Sequence, residues 1–227
     1  MTPRERVLQA IAHRATDRAP ANYGAHQGVT DGLVDRLGVA DTEELLVSLG
    51  VDMRRIRFAH NQPATGPDAE GYTRNMWGGR RRETDLGDGL PNYVSPFTEA
   101  STVDDVHAHV WPDATALDYS QVREQCRKHY GEYATYGAPW SPFFHEVGWL
   151  IGQEEFMVWM HTKPAVVHAI IEHMVDYETA VTRLFLEAAD GMIDIAYFGN
   201  DFGTQRGLFI SPQMWQTFIR RPLKRFF

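Results

Sequence analysis

The sequence predicts an α/β fold of the (β/α)8 TIM-barrel type, of which the chain carries about the first half. Helix and strand signals alternate through the second half of the chain, and a strand over 193–198 ends in a polar, glycine-containing loop that leads into a helix start. The alternation supplies about four strand-plus-helix steps, whereas a closed barrel needs eight and typically about 250 residues. The 227 residues therefore read as one incomplete barrel domain spanning 1–227, which stops abruptly on the apolar pair Phe226-Phe227.

The elements follow in order. Thr2 with Glu5 makes a capping box around Pro3 and opens a short helix that buries Val7, Leu8 and Ile11. Asp17-Arg18-Ala19-Pro20 leads into an extended segment near Asn22-Tyr23. Helical signals return at Leu33, Val34 and Leu37 before Gly38, and at Leu45, Leu46 and Leu49 before Gly50, each glycine serving as a helix stop. Residues 51–58 read as a strand and 71–85 as a hairpin turning at Gly78-Gly79. Residues 61–100 hold many Gly, Pro and Asn without periodicity, so they are expected to form an insertion over the barrel mouth.

A helix over 119–129 precedes a strand over 133–137, and Pro142 opens a helix running to about 161. Pro164 opens a longer one, with Val167, Ile170, Ile171, Met174, Val181, Leu184, Phe185 and Ala188 at helical spacing, ending near Gly191. Ser211 is a natural N-cap and Pro212 a natural first residue for the last helix, which Pro222 is expected to kink or end.

Composition narrows the function. With 43% hydrophobic and 23% charged residues the chain is ordinarily globular. Its net charge of −8 argues against a nucleic-acid-binding face, which needs clustered Lys and Arg. The single Cys126 excludes an intrachain disulfide and fits a reducing compartment. The charged start lacks the apolar run of a signal peptide, and no stretch is apolar enough to cross a bilayer. A cytoplasmic protein is expected.

Barrel enzymes collect polar groups at the C-terminal tips of their strands. On that ground Asp201 is the candidate catalytic acid or base, against the plainer role of capping a turn. Gln205 and Arg206 can hold a carboxylate or phosphate, or merely satisfy loop carbonyls. Tyr136, Trp140 and Ser141, at the preceding strand tip, can line a pocket for a flat ligand, although Trp140 also reads as a core aromatic. Arg55 and Arg57 share one strand face, while Arg80-Arg81-Arg82 read as a solvated hairpin end.

Other motifs fail. His145-Glu146 begins like a zinc-protease helix, but Trp149 stands where the second histidine belongs. His107 and His109 diverge whether extended or helical. Cys126, among Arg123, Glu124, Arg127 and Lys128, reads as a surface or half-buried thiol rather than a nucleophile.

Several stretches carry a resemblance. Met1-Thr2-Pro3-Arg4-Glu5-Arg6-Val7-Leu8, then His13-Arg14 and Asp17-Arg18-Ala19-Pro20, resemble the start of uroporphyrinogen decarboxylase superfamily proteins, closest to the corrinoid-dependent methyltransferase branch. Gly137-Ala138-Pro139-Trp140-Ser141 is similar to that family's turn after a barrel strand. Gly203-Thr204-Gln205, Gly207-Leu208, Ser211-Pro212 and Pro222-Leu223-Lys224-Arg225 are similar to its loop-and-helix segment. The resemblance implies the (β/α)8 fold, but one barrel hosts many chemistries.

Departures from the family pattern weigh the branches. Decarboxylases carry an early arginine-rich stretch that grips substrate carboxylates, where this chain has Asn22-Tyr23-Gly24-Ala25-His26-Gln27-Gly28. Arg57-Phe58-Ala59-His60 stands where their catalytic aspartate is expected. The methyltransferase branch uses zinc to activate a thiol that takes a methyl group from a corrinoid. Its zinc ligands would lie beyond Phe227, with no metal ligands within the chain. The leading expectation is thus methyl transfer from a corrinoid or related one-carbon carrier, with a methylated or tetrapyrrole small molecule, a corrinoid protein and a homodimer as partners. Cofactor-free uroporphyrinogen decarboxylation is the first alternative, and a non-catalytic fragment or binding module the second.

Overall fold

The computed structural model describes residues 1–60, 66–82, 92–98 and 101–227. Parts of the expected insertion over 61–100, and the far end of the hairpin expected to reach Asp85, lie outside the described residues.

In chain order the elements begin with α1 (Pro3–Ile11), α2 (Gln27–Leu37), α3 (Thr42–Ser48) and β1 (Met53–Arg55). Short strands β2 (Ala59–His60), β3 (Thr73–Arg74), β4 (Arg80–Arg82) and β5 (Asn92–Val94) follow, then α4 (Val103–Ala108) and β6 (Leu117–Asp118). Next come α5 (Val122–His129), β7 (Ala134–Gly137), α6 (Phe144–Ile151), α7 (Gln153–Thr162) and α8 (Pro164–Ala189). The chain closes with β8 (Ile195–Ala196), β9 (Gly203–Thr204), β10 (Gly207–Leu208), α9 (Pro212–Met214) and α10 (Arg220–Phe226). The fold is mixed α/β and divides into two compact units.

The first unit comprises residues 1–58, 120–138 and 186–197. At its centre is a parallel sheet in the order β1-β7-β8, with Met53 opposite Ala134 and Tyr136 opposite Ile195. The middle strand β7 is buried throughout, as parallel strands covered on both faces are. The expected strands over 51–58 and 193–198 are present but shorter, and the segment at Asn22-Tyr23 is not a strand. The capping box at Thr2 and Glu5 is formed, and Gly38 and Gly50 adopt the left-handed conformation that stops α2 and α3.

Buried charge holds this unit's amino-terminal segment. Asp52, inaccessible to solvent, accepts hydrogen bonds from Arg6 at 2.6 Å, from Arg18 at 2.6 Å and from the Ala21 amide at 2.7 Å. Asp17 completes the network by pairing with Arg6 at 2.6 Å. The Asp17-Arg18-Ala19-Pro20 stretch is therefore a structural lock on β1. Arg4 pairs with Asp194 at 2.7 Å. On β1 the buried arginine is Arg54, paired with Glu43 at 2.8 Å and set over the Tyr133 ring, while Arg55 and Arg57 are exposed. Cys126 is fully buried, correcting the expectation of a surface or half-buried thiol, because the spacing from Val122 puts both on the inner face of α5.

The second unit comprises residues 59–119, 139–185 and 198–227. The expected hairpin turns at Gly78 (φ 89°) and gains β5 as a third antiparallel strand. The helix expected from Pro142 to about 161 is two helices, α6 and α7. They are broken at Gly152, whose φ of 91° a side chain rarely adopts and whose Cβ position lies 2.5 Å from a Glu155 oxygen. Of the stripe on α8, Val167, Ile170, Ile171, Met174, Val181 and Phe185 are buried, while Leu184 and Ala188 are half-buried.

At the carboxy-terminal end Ser211 caps the Met214 amide and Pro212 opens α9. Pro222 lies inside α10, so it does not end the helix. It lacks the N–H that the Phe218 carbonyl would need four residues earlier, and the helix passes through a π-turn over Trp215–Ile219, with the Arg220 amide on the Trp215 carbonyl.

Candidate functional site

Within the second unit, the turn that follows β7 meets the loop that follows β8. Pro139-Trp140-Ser141 precedes α6, and Gly199-Asn200-Asp201-Phe202 precedes β9. The Gly199 amide donates to the Trp140 carbonyl at 2.7 Å. The Ser141 hydroxyl, inaccessible to solvent, donates to the Asn200 side-chain oxygen at 3.0 Å. Phe202 packs edge-on against Phe144, the first residue of α6, at 4.9 Å. Three contacts thus fix the backbone on either side of Asp201.

His145, on the first turn of α6, completes the arrangement. Its Nε2 accepts a hydrogen bond from the Asp201 amide at 2.9 Å and lies 3.8 Å from the Asp201 carboxylate. An acceptor nitrogen carries no proton, so this imidazole holds its proton on Nδ1. Burial pushes the His145 pKa below the ordinary histidine value, although the Asp201 charge works the other way. The Trp140 indole lies nearly parallel to the imidazole, with ring centres 6.4 Å apart, and is 41% exposed. A half-open indole, a neutral imidazole and a 74%-exposed carboxylate therefore stand together.

Of the residues chosen from sequence, Trp140, Ser141 and Asp201 are brought into this one cluster. Tyr136 is buried in the core of the first unit, edge-on to Tyr197 at 6.0 Å. Gln205 and Arg206 form the exposed two-residue turn between β9 and β10, where the Arg206 amide bonds the Thr204 hydroxyl at 3.1 Å. His145 and Asn200 were missed as site residues. The signal for His145 was present: it stands four residues after Ser141, on the first turn of the helix that the turn feeds.

A second group of acids lies deeper in the same unit. Glu146, the neighbour of His145, accepts a hydrogen bond from the Trp77 indole at 2.7 Å, and burial raises its pKa to about 7 despite that bond. Glu178 on α8 is buried with one oxygen unpartnered, and burial, then the Glu146 charge, raises its pKa well above the ordinary range. Among the described residues no group of three or more His, Cys, Asp or Glu is placed to hold a metal ion. No described helix is long and apolar enough to cross a membrane.

Comparison with known proteins gives a likeness of fold. No family model matches the chain, and no curated protein does. Among solved structures the fold is similar to a methyltransferase from Methanosarcina mazei, with a TM-score of 0.51 and 17% identity, covering 100% of this chain and 66% of that one. The chain thus spans just under two thirds of that methyltransferase. The fold is shared. At this identity the likeness shows no more than that.

Proposed function

We propose that the chain is the first part of a (β/α)8 barrel of the uroporphyrinogen decarboxylase type, in an enzyme that transfers a methyl group from a corrinoid or related one-carbon carrier to a thiol. The observation that carries this reading is the cluster of Trp140, His145 and Asp201, on the turn after β7 and the loop after β8, in a fold shared along its whole length with a methyltransferase. Barrel enzymes place their chemistry at such strand tips. In this reading the exposed face of Trp140 receives a flat ligand. Asp201 offers a carboxylate to a substrate hydrogen-bond donor, and His145 holds the Asp201 backbone in place while keeping a neutral ring beside it.

The segment where decarboxylases present arginines supports the same choice. His26 there caps α2, its Nδ1 accepting from the Gly28 amide at 3.3 Å, and no guanidinium stands in that stretch to fork onto a carboxylate. A bound zinc would supply thiol activation. The described residues do not provide its donor set, so that part of the chemistry rests on ligands outside them. A corrinoid protein as methyl donor and a cytoplasmic setting belong to the same proposal.

The test uses the full-length gene product with methylcobalamin and a small thiol, following loss of the cobalt–methyl absorption and formation of the thioether. Turnover above the uncatalysed rate supports the reading. Carbon dioxide release from a porphyrinogen, without methyl transfer, overturns it in favour of the decarboxylase.

A further inference from the structure

We propose that His107 and His173 form a two-histidine site for a divalent transition-metal ion that prefers right-angled coordination, of the Ni2+ or Cu2+ kind. The two residues lie 66 positions apart, on α4 and α8 of the second unit, and His107 Nδ1 stands 2.9 Å from His173 Nε2. Imidazole nitrogens bind such ions at about 2.0–2.1 Å, so two donors at a right angle stand about 2.9 Å apart and two at a tetrahedral angle about 3.3 Å. The 2.9 Å spacing is that of a hydrogen bond between the two rings, and it also matches adjacent positions of a square-planar or octahedral ion, the geometry favoured by Ni2+ and Cu2+ with nitrogen donors.

The surroundings prepare both rings. Trp111 stacks flat on His173, with ring centres 4.7 Å apart and planes within 10°, and its own N–H is anchored on the Val106 carbonyl at 3.0 Å. His173 is held by that stack, while His107 is exposed and its ring can turn its Nδ1 toward an ion bound at His173 Nε2, with water at the other positions. Metal binding moves the proton that one ring donates to the other onto the donor ring's second nitrogen, His107 Nε2 or His173 Nδ1, so that both rings bind as neutral imidazoles.

The neighbouring polar groups are otherwise engaged. His109 Nε2 faces the Trp77 carbonyl at 2.9 Å, and Asp176, one turn along α8 from His173, pairs with Arg225 at 2.9 Å. The protein supplies two donors, which sequence spacing along the chain does not reveal.

The test is a thermal-unfolding and calorimetric titration of the full chain with Ni2+, using Mg2+ as control. Ni2+ should raise the unfolding midpoint by about 5 °C or more at a hundredfold excess over its Kd, and Mg2+ should not. His107→Ala, at an exposed position, and His173→Phe, which keeps the stack on Trp111, should each abolish that increment, and the double variant should lose no more. Absence of saturable Ni2+ binding to the unaltered chain, or a shift that survives either substitution, would overturn the proposal.

Discussion

The Gly199 amide donates to the Trp140 carbonyl, and the indole of the same Trp140 fills the space that a side chain on Gly199 would need. Indole carbons stand 2.6–2.9 Å from the position of a Cβ there. Space dictates this glycine, since its φ lies outside the left-handed region. The relationship sets the separation of the two segments that carry Asp201 and His145.

Gly199→Ala should therefore displace the indole from His145. Overpacking of this kind costs about 1–3 kcal/mol. Urea unfolding followed by tryptophan fluorescence should show that loss. In a Trp140→Ala background the same substitution should cost far less, because contacting residues do not add independently.

Asp52→Ala should destabilise the first unit much more than a surface substitution does. It leaves the buried Arg6 with Asp17 as its one carboxylate and Arg18 with the Ala19 and Gly50 carbonyls alone, and removing one member of a buried ion pair costs about 3–5 kcal/mol. The midpoint of chemical unfolding should fall accordingly. Asp17→Ala, at a half-exposed partner of Arg6, should cost less.

Sequence and structure agree wherever the cause is local. The capping box at Thr2 and Glu5, the left-handed Gly38, the Ser211-Pro212 helix start and the stripe on α8 each depend on residues within a few positions, and each was legible. What was not legible depends on distance along the chain. Asp52 meets Arg6 across 46 residues, and Asp201 meets His145 across 56. Glu178 stands four residues after Met174 and three before Val181, so the helical period turns it inward, whereas its charge alone predicts an outward side chain. Gly152 looks like any helical glycine until its φ is known.

Stability should fall as pH rises from about 4.5 to about 7. Glu146 has a folded pKa raised to about 7 from 4.5, so the folded state binds the proton more tightly and its contribution is present below the unfolded value and lost as pH rises through the folded one. That contribution is roughly 3 kcal/mol, and Glu178 acts in the same direction. Below this window the opposite sign takes over. Burial of Asp52 opposes its ionisation, but hydrogen bonds from Arg18, the Ala21 amide and Arg6 hold its carboxyl below the ordinary range, so its contribution disappears as pH falls below about 4. Unfolding measured across pH 4 to 8 should show the maximum near the acidic end. Glu146→Gln, which can still accept from Trp77, should flatten the slope.

Cys126 should be inert in the folded protein. Its burial raises the thiol pKa and closes access to the sulfur. A thiol reagent should label it at the rate of unfolding, and faster only in denaturant.

The measurement that bears most directly on the account is the methyl-transfer kcat/KM of the full-length enzyme with His145→Ala, set beside its thermal midpoint. His145 holds the Asp201 backbone and faces Trp140, so the account predicts a loss of about a hundredfold in kcat/KM with the midpoint little changed. A variant that turns over at the unaltered rate would contradict the assignment of this strand-tip cluster as the reaction site.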